Sequence, residues 1–351
     1  MEEAILGLAT ERVSISMLRK FLECPLQGSA RAYLKLREDE SEEDLLSREN
    51  ETLETGVIPR IMLLRAAFLE GIGEISGKEL SEKQREDAFA RAYDRRAAIL
   101  ELEGKLPTGP FGAAERDKHL GVLAEWWSGY PHVVPAGSGL KIYRFGKADE
   151  HEAVDEVLDP IVLEDVPLPG RRARIEISGK TDPVVEDAPG SILLNYHKAD
   201  EWLRQKDCLR AFFDHVVLAA SGERAPGPYR ACLLLSDSDK KGGSRQVEVF
   251  DAITREEARA WLATLVQEML GPGNDRLLPC EAVFKFTDDP SKDLDEIIQK
   301  LRDAEFGGSF RYGPVSRPES YPSPDRKDAL AAIERRFGLY FRTRHVTEHV
   351  K

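Results

Sequence analysis

Apolar positions along the chain pass through three regimes: helical spacing, then short β-prone runs, then helical spacing again. Ser14 stands before Met17, Leu18, Phe21 and Leu22, whose spacing predicts a capped helix. Pro25 predicts an interruption and a second short helix through Tyr33 and Leu34. The densely acidic stretch from Glu38 to Glu54 reads as a solvated connector. Helices are predicted near Ile61–Phe68 and Ser81–Leu102, and the turn cluster Leu106–Gly112 (LPTGPFG) feeds another that carries Trp126 and Trp127.

Beyond Pro135 the pattern changes. Leu140–Phe145, Ala173–Ser178, Pro183–Val185 and Ser191–Tyr196 are short and β-prone, and Asp187–Ser191 reads as a hairpin turn. In the next helix, Leu209, Phe212, Phe213, Val216, Val217 and Ala220 make one continuous apolar face. A strand at Tyr229–Leu235 and an edge strand at Gln246–Phe250 follow. Thr254 and Glu257 form a capping box for a helix through Met269; two more helices are expected near Leu294–Glu305 and Lys327–Phe341. The central order β-β-β-α-β, with helices on both sides, predicts an α/β or α+β fold: a mixed central sheet flanked by helices. The corresponding division is an N-terminal helical region (1–134), an α/β core (135–250) and a C-terminal helical region packed on that core (251–351).

Charge narrows the functional classes. With 63 acidic against 50 basic residues the chain carries −13, which disfavours indiscriminate adhesion to nucleic acid or anionic membrane and leaves room only for a local basic groove. Cys24, Cys208, Cys232 and Cys280 are too scattered for a zinc site or a disulfide framework and suit a reducing compartment. No apolar run reaches the roughly 18 residues of a membrane span, and the acidic start lacks the basic region of a signal peptide, so a cytoplasmic location is expected. No phosphate-cradling G-x-x-x-x-G-K-[ST] loop occurs.

Metal-dependent phosphodiester cleavage requires carboxylates for Mg²⁺ and a lysine near the attacking water. A compact arrangement puts one Asp on a strand and an acid-x-Lys triplet on its hairpin neighbour, where alternate residues share a face. Here Asp182 lies thirteen residues before Asn195 in GKTDPVVEDAPGSILLNYHKAD. Alone, Asp182 reads as a turn residue; the spacing raises it. The segment resembles the Gly-x-x-Asp…Asp-Tyr-Lys signature of RecB-type nuclease domains in the PD-(D/E)xK superfamily, which implies a restriction-endonuclease-like sheet. By that resemblance Asp182 keeps the first metal-binding acid, Asn195 replaces the second and His197 replaces the lysine. Where such nucleases place a histidine, this chain has Arg60 after Gly56, or Arg116 after Gly112. The amide at 195 removes a charge worth on the order of several kcal/mol of cation binding. The imidazole at 197 is mostly neutral near pH 7, so no catalytic residue, metal or other cofactor is expected.

The segments VSISMLRKFLECPLQGSARAYLKL, LPTGPFG, AFFDHVVLAASG, ITREEARAWLATLVQEML and ALAAIERRFGLYF occur in the order found in the C-terminal part of the RecC family, the gamma subunit of exodeoxyribonuclease V. The resemblance runs from about Val13 to Arg342 and omits the helicase-like front of that family, so the chain reads as a fragment or a stand-alone equivalent. It implies a domain without cleavage activity in a complex that repairs double-strand breaks, with RecB-like and RecD-like partners and single-stranded DNA nearby. Arg171, Arg172, Arg174, Lys198, Arg204 and Lys206 are the candidate DNA contacts; Lys240, Lys241 and Arg245 sit in a polar loop. The alternatives are a divergent Mg²⁺-dependent exonuclease using Asp182, His197 and a recruited acid such as Asp200 or Glu176, and a scaffold that never touches DNA. His215 reads as structural, Trp126, Trp127 and Trp261 as core, and Cys24 as a small buried hydrophobe.

Overall fold

Period-two alternation sorts the side chains of two central strands between two hydrophobic cores. Ile192 and Leu194 on one strand, with Cys232 and Leu234 on the next, enter one core; Leu193, Ala231, Leu233 and Leu235 enter the other. The computed structural model describes residues 9–34, 54–148, 153–196, 201–223, 227–236, 244–272, 278–289, 293–303 and 325–350. Both strands belong to a six-stranded mixed sheet ordered β11-β10-β9-β8-β7-β2. These strands are β2 (Leu140–Lys141), β7 (Val184–Val185), β8 (Gly190–Asn195), β9 (Tyr229–Leu235), β10 (Ser244–Phe250) and β11 (Arg344–Val350). β7 and β8 form the expected hairpin, Val184 opposite Ser191. β8 and β9 run parallel, Asn195 aligned with Leu235, and their crossover contains helix α6 (Glu201–Ser221).

A second sheet joins β1 (Ala9–Ser14), β3 (Tyr143–Phe145), β4 (Glu156–Leu158), β5 (Ile161–Leu168) and β6 (Arg171–Lys180). β6 is its centre: β1 pairs with it in parallel, Ala9 to Ala173 through Ser14 to Ser178, and β5 pairs antiparallel with a register shift between Leu163 and Val166. Among the described residues the remaining helices are α1 (Ile15–Glu23), α2 (Pro25–Leu34), α3 (Val57–Ile75), α4 (Glu82–Leu102), α5 (Gly109–Val133), α7 (Arg255–Leu270), α8 (Cys280–Asp288), α9 (Leu294–Asp303) and α10 (Arg326–Thr343). None is long and apolar enough to cross a membrane.

The mixed α/β class and most predicted elements are present, including the Ser14 cap, whose hydroxyl accepts from Met17 N–H at 3.1 Å, and the Thr254–Glu257 capping box. Two expectations change. The single central sheet is two sheets, because β1 and β5 complete a separate layer around β6. The expected edge strand at 246–250 is interior: β10 pairs with β9 on one side and β11 on the other. Trp126 and Trp261 are core residues, and Cys24 is buried. His215 stacks on Tyr229 at 4.8 Å between ring centres and lies 3.0 Å from the Asp251 carbonyl, a structural role. Most of the predicted acidic connector, and Lys240 and Lys241 of the polar loop, lie outside the described residues.

Candidate functional site

The β7–β8 hairpin sets the two spacing-defined residues at one end of the sheet. Extending its register places Asp182 across from Leu193, two residues before Asn195. Gly179 makes the approach possible. Its φ is +138°, and a Cβ there would stand 2.8 Å from Ile15 Cβ, so only glycine lets α1 begin against the end of β6. That packing delivers Arg19 of α1 to the same place.

Helix α6 bridges the pair. Asp207, Arg210 and Asp214 stand at i, i+3 and i+7 and share one stripe. Arg210 Nη2 donates to both carboxylate oxygens of Asp182 at 3.1 and 3.2 Å. The Asn195 side-chain amide donates to Asp207 Oδ2 at 2.6 Å. Asp214, fully buried, accepts from the Asp182 backbone N–H at 3.2 Å and from Ser191 Oγ at 2.7 Å. Arg19 pairs with Asp214 through one nitrogen, and its other terminal nitrogen lies 3.5 Å from Asp182. From α3, Arg65 donates through Nε and Nη2 to the Leu194 carbonyl at 3.2 and 3.1 Å.

Three guanidiniums therefore converge on three aspartates. Burial pulls the Asp182 carboxyl upward, but Arg210, Arg19 and Arg65 together outweigh it and hold it below its ordinary value. Attraction to Asp182 outweighs burial at Arg210, whose guanidinium is held more firmly protonated than usual. Burial raises Asp207, only partly offset by the Asn195 amide. Burial pushes Asp214 to about 7 despite Arg19. At neutral pH the cluster is thus close to neutral or positive.

These residues do not fit a divalent ion. The Asp182 oxygens already face two guanidiniums, and the Asn195 amide turns its donor, not a lone pair, toward the neighbouring acid. An ion at the carboxylate would also meet Arg210 about 4 Å away, a repulsion of about 8 kcal/mol at an effective dielectric of about 20. Among the described residues no group of three or more His, Cys, Asp or Glu side chains is disposed to hold a metal.

Of the two places where an arginine replaces an expected histidine, only one is near. Gly56 caps α3, and Arg60 lies 5.4 Å over the ring of Tyr196, the residue after Asn195. Arg116 instead points to Asp94, at 2.6 and 2.8 Å. Arg171, Arg172 and Arg174 open β6, whereas Asp182 follows its far end. At about 3.3 Å per residue they stand about 20–30 Å from that end of the strand, so the structure does not bring them together with Asp182. They pair with Glu11, Asp165 and Glu164 respectively. Glu176, a recruited acid under the nuclease alternative, sits mid-strand 3.5 Å from Arg12. Lys206 lies on α6 beside Asp207. His197, Lys198, Asp200 and the Arg204 side chain lie outside the described residues.

Sequence reasoning missed Arg19, Arg65, Asp207, Arg210 and Asp214. The α6 stripe was detectable in principle: three charges at helical spacing beside an otherwise continuous apolar face. Arg19 and Arg65 carry no such signal, because they reach the site from α1 and α3, more than a hundred residues away in the chain.

The profile of the RecC C-terminal domain matches residues 10–283. No individually curated protein is similar enough in sequence to match.

Proposed function

Because the chain belongs to the RecC C-terminal domain family, and so to part of a RecBCD-type exonuclease complex, we propose that it is a non-catalytic, nuclease-like component that docks partner subunits and guides unwound DNA. One observation carries the loss of cleavage: Arg210 grips both oxygens of Asp182, the acid that a nuclease would offer to a metal. The guanidinium supplies internally the positive charge that an ion would otherwise bring. Nuclease geometry is retained as a scaffold while its charge is satisfied from within. The docking partners would be RecB-like and RecD-like subunits. DNA guidance is supported by the arginines around Asp182, among them Arg210 with 25% side-chain exposure, against 14% for Arg19.

The test is cleavage of end-labelled single-stranded DNA across a Mg²⁺ and Mn²⁺ titration, with wild type beside Asp182→Ala. No cleavage above background is expected from either. Metal-dependent cleavage by wild type that Asp182→Ala abolishes would overturn the proposal. Filter binding of the same DNA at rising salt tests guidance: Arg210→Ala should weaken binding and flatten its salt dependence.

A further inference from the structure

Helices α4 and α5 do not close on each other along their whole length. Between them, below the turn at 103–108, lies a cleft of 250 Å³. That is smaller than the roughly 300–1,000 Å³ enclosing a drug-sized ligand; it suits one inserted side chain. Its apolar lining includes the buried Ala97 and Leu106, with the exposed Ala98 beside them.

The lining continues outward as exposed apolar surface. Asp94, Ala98 and Leu102 lie on one i, i+4 ridge of α4, and Phe111 shares a ridge of α5 with Glu115. Leu102 is 91% exposed and Phe111 60%. Single exposed leucines are ordinary; a leucine and a phenylalanine on the ridges that carry lining residues of one cleft add apolar surface of the kind found in protein-binding patches. The walls are held in place: Tyr93 Oη lies 2.9 Å from His119 Nδ1, Thr55 N–H donates to Glu115 at 3.1 Å, and Arg116 holds Asp94. His119 is kept neutral by burial, which lowers it to about 4.

Charge defines the occupant. Asp94, Glu101 and Glu115 line the cleft against one cation, Arg116. Asp94 and Glu115 have partners within the fold. Glu101 is exposed at the mouth, and among the described residues no ion pair engages it. We propose that the α4–α5 cleft docks a protein segment that inserts a large apolar side chain next to an arginine. The apolar group fills the space over Ala97 and Leu106. The guanidinium meets Glu101 and lies on the open face of Phe111, the pairing for which arginine is preferred over lysine at interfaces. This assigns a surface to the docking role proposed above and rests on that reading.

The probe is a fluorescein-labelled amphipathic peptide carrying Phe beside Arg, compared with versions carrying Glu for Arg or Ala for Phe, measured by fluorescence polarisation on the full chain. Saturable binding of the Phe–Arg peptide is expected. It should weaken at least about tenfold with Ala98→Trp or Ala113→Trp, which fill the mouth from exposed helix positions, and Glu101→Arg should shift preference to the Glu peptide. Circular dichroism verifies that each variant is folded. Absence of saturable binding, equal binding of the Ala peptide, or affinities unchanged in both Trp variants would overturn the assignment. Gel filtration with RecB-like and RecD-like subunits separates the two readings. Assembly that survives both Trp variants keeps the docking role and removes this cleft from it. Peptide binding at the cleft without subunit assembly upholds the cleft and removes the docking role.

Discussion

Replacing Arg210 by methionine removes its charge while keeping an unbranched side chain of similar reach. In the wild type, one guanidinium nitrogen stands 3.1 and 3.2 Å from the two oxygens of Asp182, whose side chain is 16% exposed. A unit pair with charge centres about 4 Å apart is worth about 4 kcal/mol at an effective dielectric of about 20, and breaking a buried pair from one side costs about 3–5 kcal/mol. Arg19, still 3.5 Å away, retains part of the attraction, and the openness of Arg210 screens some of it. The expected loss is therefore about 2–3 kcal/mol at pH 7.5, read from urea denaturation of Arg210→Met against wild type. The pH dependence follows from Asp182, whose folded carboxyl is held below its ordinary value. Its contribution is present above the unfolded carboxylate range and is lost as pH falls through the folded value, so the gap between the two proteins should narrow below about pH 4. Asp182→Asn and the double variant close a thermodynamic cycle that separates charge coupling from packing. A loss below about 1 kcal/mol, or a coupling energy near zero with Asp182→Asn, would refute the claim that Arg210 is the internal counter-ion.

Two further outcomes follow from the same neighbourhood. Asp214 has its folded value raised to about 7, so between about pH 4 and 7 the native state keeps a proton that the unfolded chain has released, and stability falls as pH rises through that window. Asp214→Asn should lack this decline, which amounts to about 4 kcal/mol for a shift of that size; parallel urea midpoints for variant and wild type from pH 4.5 to 7.5 would contradict it. Gly179→Ala combines a backbone angle at +138° with a 2.8 Å contact to Ile15, and should lose about 2–3 kcal/mol; an unchanged melting temperature would show that α1 does not need this glycine.

Legibility varied by element for definite reasons. The face of α6 from Leu209 to Ala220 and the capping box at Thr254 are local patterns, and each appears as read. β1, β4, β5 and β11 were not predicted. β5 contains the acid pair Glu164–Asp165 at its register shift, which breaks the alternation, and β11 carries Arg344, His345, Glu348 and His349 in a strand stabilised by pairing to β10. Such strands are defined by their neighbours rather than by their own hydrophobicity. The spacing of Asp182 and Asn195 identified the hairpin, but nothing near either residue announced that Arg19 and Arg65 would arrive there.

By itself the sequence determined most helices, most strand segments of the six-stranded sheet, the hairpin and the substitution of an amide for a carboxylate at position 195, because each depends on residues a few positions apart. Only the tertiary structure decided that the strands divide into two sheets and that three arginines from three helices neutralise the aspartates. It also separated Arg171, Arg172 and Arg174 from Asp182 along the length of β6. Those outcomes depend on long-range burial. A charged group removed from water must find its counter-charge among whatever packing brings near, and packing, not local spacing, selects that partner.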